Sequence, residues 1–348
     1  MECYINGLGS IGIQSLGFNV WIDEPCIINT SNKVAHPSYR ELIPAGALRR
    51  MSTSVKMGIY AAHQAMQEAH VNYPDAIITG TGLGCLQDSE KFLDTMIEND
   101  EEYLTPTSFI QSTHNTVAAQ IALQLGCKAY NFTYVNGANS FEAALFDAML
   151  QTTSFGANSV LVGGIDETST QFDRLFQLSG LYKTEGASID FKHPSSPGAC
   201  LAEGANFFVL SNERQQESYA QLVDVHYFNL PQETVLSEVE GFLGRNSLQI
   251  EDIDLVFLGY NANSQDQGFF ETYASLFPAS SHAYYQHLSG SFFTASAFGL
   301  KLAAEVLKLQ QLPSNIIYND IKPKQLKTIL LINQSRGVDN SLVLIQSC

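Results

Sequence analysis

Short apolar runs and helical patterns alternate along this chain, and that alternation limits what it can fold into more than any other feature. Strand-like runs fall at 3–6, 75–79, 159–163, 206–210, 255–258, 328–332 and 342–345. Between them, apolar residues recur at helical spacing over 53–70, 116–125, 141–151, 234–244, 268–276 and 294–309. Strands that are apolar at nearly every position are buried on both faces, which requires helices on both sides of a sheet. The alternation predicts an α/β fold. At 348 residues the chain can form one large domain or two fused halves. An internal echo favours halves. SVLVGGIDE and DLVFLGYNANSQD each run a strand into a Gly/Asn-rich turn, and NSFEAALFDAML and GSFFTASAFGLKLAAEVL are both helices dense in small residues. The boundary is placed between 213 and 214, giving halves 1–213 and 214–348.

Residues 131–150, NFTYVNGANSFEAALFDAML, are a strand that turns sharply into a helix at Asn136-Gly137. Such turns are where many α/β enzymes mount a nucleophile, yet the residue at this one is Ala138. A second motif, GLGSIG at 7–12, matches the dinucleotide-binding GxGxxG. Its context is wrong: no amphipathic helix opens at the glycines, and Asp23 and Glu24 come too early and follow no second strand. It reads as a glycine-rich turn after the first strand. The polar stretch 183–198 reads as the longest surface loop.

Composition excludes several functions. Net charge is −17, and only 18 basic residues are spread along the chain, so neither nucleic acid nor an anionic membrane fits as a partner. No apolar run is long enough to span a membrane and no signal-peptide pattern opens the chain, which places the protein in the cytoplasm. Six cysteines without a CxxC, and eight histidines without a metal-ligand spacing, point to reduced thiols and no metal site. No cofactor motif survives scrutiny. Hydrophobic residues make up 45% and charged residues only 15%, which suits a chain that buries much surface against a partner.

Four segments in order, INGLGSIG, VNGANSFEAAL, SVLVGGIDET and RGVDNSLVLI, together resemble the thiolase-fold β-ketoacyl synthases. SIDFKHPSSPGACLAEGANFFVL adds the family's acidic-glycine loop, with Glu203-Gly204-Ala205 in the Gly-Glu-Gly-Ala place. The resemblance spans nearly the whole chain. It implies a thiolase-like fold of two pseudo-symmetric βαβαβ-type halves in an α-β-α-β-α arrangement. It also locates the family's catalytic positions. The nucleophilic cysteine falls on Ala138. The first histidine, in Asn-Ala-His-Gly-Thr, falls on Asn263. The lysine and second histidine fall on Gln286 and Ser291. The Gly-Phe-Gly-Gly gating loop falls on Gln334-Ser335-Arg336-Gly337. Condensation needs a thiolate to carry the acyl chain and donors to stabilise the enolate formed on decarboxylation. None of those residues is present.

Inactive members of the family exist as chain-length factors, which pair with an active ketosynthase in type II polyketide systems and shape its acyl tunnel. The resemblance implies that role here, with a ketosynthase partner and with acyl carrier protein reached only through that partner. It implies that residues 104–123 reach toward the partner's tunnel. Phe109 and Thr113, one helical turn apart, would face the growing chain, with Gln111, Ser112, His114, Asn115, Thr116 and Leu83 around them. The polar Ser-Thr-His-Asn-Thr run and the short chain are closest to aryl-polyene and flexirubin systems. Two alternatives stay open: an acyltransferase or hydrolase rewired onto Ser140 and His287, and a homodimeric acyl-chain binding protein. Against the first, Ser140 sits where helix-capping serines sit, and a lone histidine among tyrosines is commonly a packing residue. Cys200 reads as a buried structural thiol.

Overall fold

The structure, a computed structural model, describes residues 2–14, 25–104, 106–230, 234–323 and 325–348. Asp23 and Glu24, weighed above against a dinucleotide site, lie outside the described residues. Ten strands form one mixed sheet: β1 (Tyr4–Ile11), β2 (Ala76–Gly80), β3 (Tyr130–Tyr134), β4 (Ser159–Asp166), β5 (Gly204–Ser211), β6 (Ala220–Asn229), β7 (Leu255–Leu258), β8 (Ser281–Tyr284), β9 (Thr328–Ser335) and β10 (Asp339–Gln346). The helices are α1 (Ala45–Leu48), α2 (Thr53–Glu68), α3 (Leu86–Glu98), α4 (Pro106–Gln111), α5 (Thr116–Leu125), α6 (Ser140–Thr153), α7 (Thr170–Leu178), α8 (Val235–Arg245), α9 (Gln267–Leu276), α10 (Gln286–Ser289) and α11 (Ser296–Leu309).

The strand order is β3-β2-β4-β5-β1-β6-β10-β9-β7-β8. Reading outward from the centre, β1, β5, β4, β2 and β3 match β6, β10, β9, β7 and β8 in turn. Each set ends in parallel pairs, β2 with β3 and β4, and β7 with β8 and β9. The centre is held by only two residue pairs, Tyr4 with Gln221 and Ile5 with Ala220.

Alternation within the strands builds three cores. In β2, Ile78 faces inward while Ile77 faces outward. In β7, Leu255 and Phe257 face inward while Val256 and Leu258 face outward. The inward residues of both sets meet α6 and α11 in one central core, with Phe141, Ala144 and Ala148 from α6 and Ala297, Leu300 and Ala304 from α11. The outer faces are covered by α2 and α5 on one side and by α8 and α9 on the other. The result is helix, sheet, helix, sheet, helix. Small residues on α6 and α11 are what let two helices fit between the sheet layers.

The glycines of GLGSIG are not a turn, as their sequence context suggests. Gly7 and Gly9 lie inside β1, because α2 crosses the strand there. A β-carbon on Gly9 would sit 1.8 Å from the Ala61 carbonyl oxygen, and one on Gly7 would sit 2.2 Å from that of Ala65. The alternation in the sequence also passes over β6, β8, α3 and α7. Helix α7 buries none of its residues and α3 buries only Leu86. Among the described residues, no helix is long and apolar enough to cross a membrane.

Candidate active-site pocket

The turn that raises the question of Ala138 is a short 3-10 segment, Gly137–Asn139, leading into α6. Gly137 has φ +53, a left-handed conformation that glycine adopts without strain. The Ser140 hydroxyl donates to the Gly137 carbonyl at 2.7 Å and accepts from the Asn136 amide at 2.8 Å. It therefore ties the turn together, the role expected of a serine at a helix start.

Ala138 opens onto a cavity of about 160 Å³. The same cavity is lined by Asn263, Gln286, Ser291 and Gln334 to Arg336. Segments scattered over two hundred residues thus converge on one point, and Ala138, Asn263, Gln286 and Ser291, the positions that the resemblance marks, are among its walls. Their chemistry is mostly that of amides and hydroxyls, with the carboxylates of Asp266 and Asp339 and the exposed Arg336 in the same wall. Asn263 donates from Nδ2 to Asp266 at 3.0 Å and accepts at Oδ1 from the amides of Gly198 and Gln265, at 2.9 and 3.1 Å. Asn261, also in the wall, donates to the same Asp266 oxygen at 2.8 Å. Ser291 is fixed by its backbone, which donates to Cys200 O at 2.7 Å and accepts from Ala202 N at 3.0 Å. Gln334 accepts the Gly337 amide at 2.9 Å, turning the hairpin between β9 and β10, where Arg336 has φ +53.

The pocket also has walls that the sequence motifs do not reveal: Leu181, Tyr182, Phe292, Phe293 and Asn333. Phe293 packs onto Gly82, where an added β-carbon would lie 2.3 Å from its ring, and against Phe176 with centroids 6.5 Å apart. Phe293 thereby stands between the pocket and the Gly82-Leu83-Gly84 turn. Asp166, at the end of β4, is wholly buried beneath that turn. It accepts from Thr294 N and Oγ1 at 2.9 and 2.8 Å, from Gly82 N at 2.8 Å and from Thr81 Oγ1 at 3.1 Å. Burial pushes its pKa up, while these four donors pull it down. One turn on from Ala138, Glu142 is fully buried, and desolvation raises its pKa to about 7 against the hydroxyls of Ser296 and Ser341, the latter donating at 3.0 Å. At the head of the 183–198 loop, Lys183 is buried and donates to Ser196 Oγ at 2.7 Å.

Neither Ser140 nor His287 is in the pocket wall. His287 is half-buried, with its ring centroid 3.9 Å from that of Tyr284, and Phe191 lies edge-on at 6.1 Å. Desolvation lowers its pKa to about 3, so it stays neutral over the working pH range. Cys200 is fully buried, and desolvation lifts its thiol pKa to about 11, as a structural cysteine should show.

No described residue of segment 104–123 lines the pocket, and the segment is exposed in part, with Val117, Ala118 and Ile121 in the core. Phe109 and Ile110 are 56% and 61% exposed, unusual for side chains of that size. Phe109 packs against Phe92, with ring centroids 5.4 Å apart. Thr113 is not one helical turn from Phe109 within a single helix: α4 ends at Gln111, and Thr113 sits in the turn before α5, where its hydroxyl bonds to Ile110 O and Thr116 Oγ1. Gln111 and Ser112 are half-buried, His114 and Asn115 are exposed, and Thr116 is buried. His114 packs over Gly84, so this segment and half-buried Leu83 adjoin. Beside them, β3 is an edge strand with Tyr130, Phe132 and Val135 exposed; Asn131 donates from its side chain to Ala118 O of α5 at 3.0 Å.

Residues 20–222 match the β-ketoacyl synthase N-terminal domain family. Among curated proteins, none matches the sequence. Solved structures match over the whole chain. The ishigamide ketosynthase/chain length factor is 15% identical, with TM-score 0.81, 100% of this chain covered and 99% of that one. A β-ketoacyl synthase from Burkholderia phymatum STM815 is 14% identical with TM-score 0.82, at 100% and 99% coverage. A ketosynthase in complex with its chain length factor from Xenorhabdus doucetiae is 13% identical with TM-score 0.79, at 100% and 98%. These likenesses establish a thiolase-like α/β fold.

Proposed function

This chain belongs to the β-ketoacyl synthase family, and we propose that within it the chain is a non-catalytic chain-length subunit paired with an active ketosynthase. One observation carries the reading: Ala138, Asn263, Gln286 and Ser291 converge on the pocket where the family resemblance places the catalytic residues. A pocket walled by carboxamides, hydroxyls and the side chains of Asp266, Asp339 and Arg336 can hold a polar group. It offers no thiolate to carry an acyl chain and no imidazole to stabilise an enolate. The chemistry therefore belongs to the partner. Two of the matched structures carry chain length factor in their descriptions, one of them as a complex with a ketosynthase, which fits the same pairing.

The exposed apolar surface supports a partner. An edge strand with unpaired backbone groups and exposed aromatics is a liability unless it is covered. Here β3 lies beside the surface of α4 and α5 that holds Phe109, Ile110 and Leu123, all exposed. In this reading β3 pairs with the partner. Phe109 and Thr113, with Gln111, Ser112, His114, Asn115, Thr116 and Leu83 around them, border its acyl tunnel. The chain's net charge of −17 disfavours docking of acidic carrier proteins, so the basic docking patch sits on the ketosynthase. A cytoplasmic polyene-type assembly line is the setting that this combination fits best. The symmetric strand order likewise supports reading residues 1–213 and 214–348 as two related halves.

Co-expression with a ketosynthase encoded beside it tests the pairing. A 1:1 complex by native mass spectrometry, active only with the ketosynthase cysteine intact, is the expected result. A lone chain that turns over an acyl thioester would overturn it.

A further inference from the structure

Phe293 is the one pocket wall that also covers the Gly82-Leu83-Gly84 turn. It lies on the bare face of Gly82, where an added β-carbon would sit 2.3 Å from its Cγ and 2.4 Å from its Cβ. Only glycine leaves room for the ring there. Phe176 of α7 meets the ring edge-on at 71°, and packs in turn edge-on against Tyr182, another wall of the pocket, with centroids 5.9 Å apart. Asp166 fixes the backbone beside the ring. Its Oδ2 accepts from Thr294 N and Oγ1, and its Oδ1 accepts from Gly82 N and Thr81 Oγ1. One buried carboxylate thus ties the residue after Phe293 to the turn that Phe293 covers. The ring is held by the turn, by α7 and through its own backbone.

The other end of the turn meets segment 104–123. Leu83 is half-buried, and the Cα and ring of His114 lie over Gly84. The order from the pocket outward is therefore Ala138, Phe293, the turn, then His114. In the chain-length reading an acyl chain runs along segment 104–123. If it continues past the turn toward Ala138, it meets the Phe293 ring first. Without the ring, the bare face of Gly82 would open onto a cavity of about 160 Å³. A void of roughly 150 Å³ already accommodates an apolar group the size of benzene. The floor of that cavity, and not the turn, would then limit how far the acyl chain extends.

We propose that Phe293 is the stop at the end of the acyl tunnel, closing it off from the Ala138 pocket; this rests on the chain-length reading. The test is the length of the products made by the co-purified complex of this chain and a ketosynthase with malonyl-loaded carrier protein. Wild type is compared with Phe293→Ala and with Phe293→Ala combined with Ala138→Phe. Phe293→Ala should keep the 1:1 stoichiometry and lengthen the products by one or more malonyl-derived units. Adding Ala138→Phe, which puts a ring into the space that the longer chain enters, should bring the length back toward wild type. Should the alanine variant fail to fold, Phe293→Leu takes its place, with a smaller shift of the same sign expected. Unchanged length from an intact, active complex, or a lengthening that Ala138→Phe does not reverse, would overturn the stop while leaving the pairing in place. If no complex forms, or if product length fails to respond to Phe109→Ala, the chain-length reading itself falls, and the stop with it.

Discussion

Ala138 stands at the head of a buried helix whose free amides favour a negative charge, so a thiol placed there would ionise readily. A cysteine alone is not enough. Ala138→Cys should react with iodoacetamide far faster than the buried cysteines, since Cys200 is buried with its pKa near 11 and Cys85 likewise. The same variant should show no condensation, because Asn263 and Ser291 cannot assist decarboxylation; measurable ketosynthase turnover by A138C alone would refute this. His287 yields a second prediction. Its folded pKa of about 3 lies below its ordinary value of 6.5, so the unfolded chain binds the proton first. Its contribution is full above pH 6.5 and is lost as pH falls toward 3. Between pH 7 and 4.5 this amounts to about 2 kcal/mol. Urea unfolding should show His287→Phe losing less stability than wild type over that interval, and equal losses would contradict it.

At the level of elements, close approach explains what sequence pattern cannot. The glycines of β1 look like a turn because turn and strand glycines are the same letter, and only the crossing of α2 shows why they are there. Gly9→Ala should therefore destabilise by about 3 kcal/mol or force α2 to shift, whereas an alanine at the open Gly241 of α8 should be neutral or slightly stabilising. Thermal melts of the two variants separate these outcomes. Apolar strands such as β2, β4 and β7 were legible because both their faces are buried. Helix α7 was not, since none of its residues is buried, and β6 was not, since its residues are mostly half-buried. The pocket was legible where a motif marked the position, as at Ala138, Asn263 and Ser291. Phe293, Tyr182 and Asn333 enter it only through folding, with no local signal. The break after Gln111 was not legible, because the serine and threonine hydroxyls that end α4 also occur inside helices.

For the whole molecule, the surfaces left uncovered matter most. The β3 edge exposes stacked Tyr130 and Phe132 with ring centroids 6.2 Å apart, next to Val135. Phe132→Lys should leave the isolated chain folded, because the position is exposed, and should weaken pairing with a ketosynthase by at least ten-fold in native mass titration. Undiminished pairing would move the interface elsewhere. Phe109, by contrast, should affect product rather than assembly. The most direct measurement is the product length made by the purified complex with malonyl-loaded carrier protein, compared between wild type and Phe109→Ala. If this chain sets tunnel length, the complex forms at the same stoichiometry and its products become longer. Unchanged product length from an intact, active complex would contradict that role.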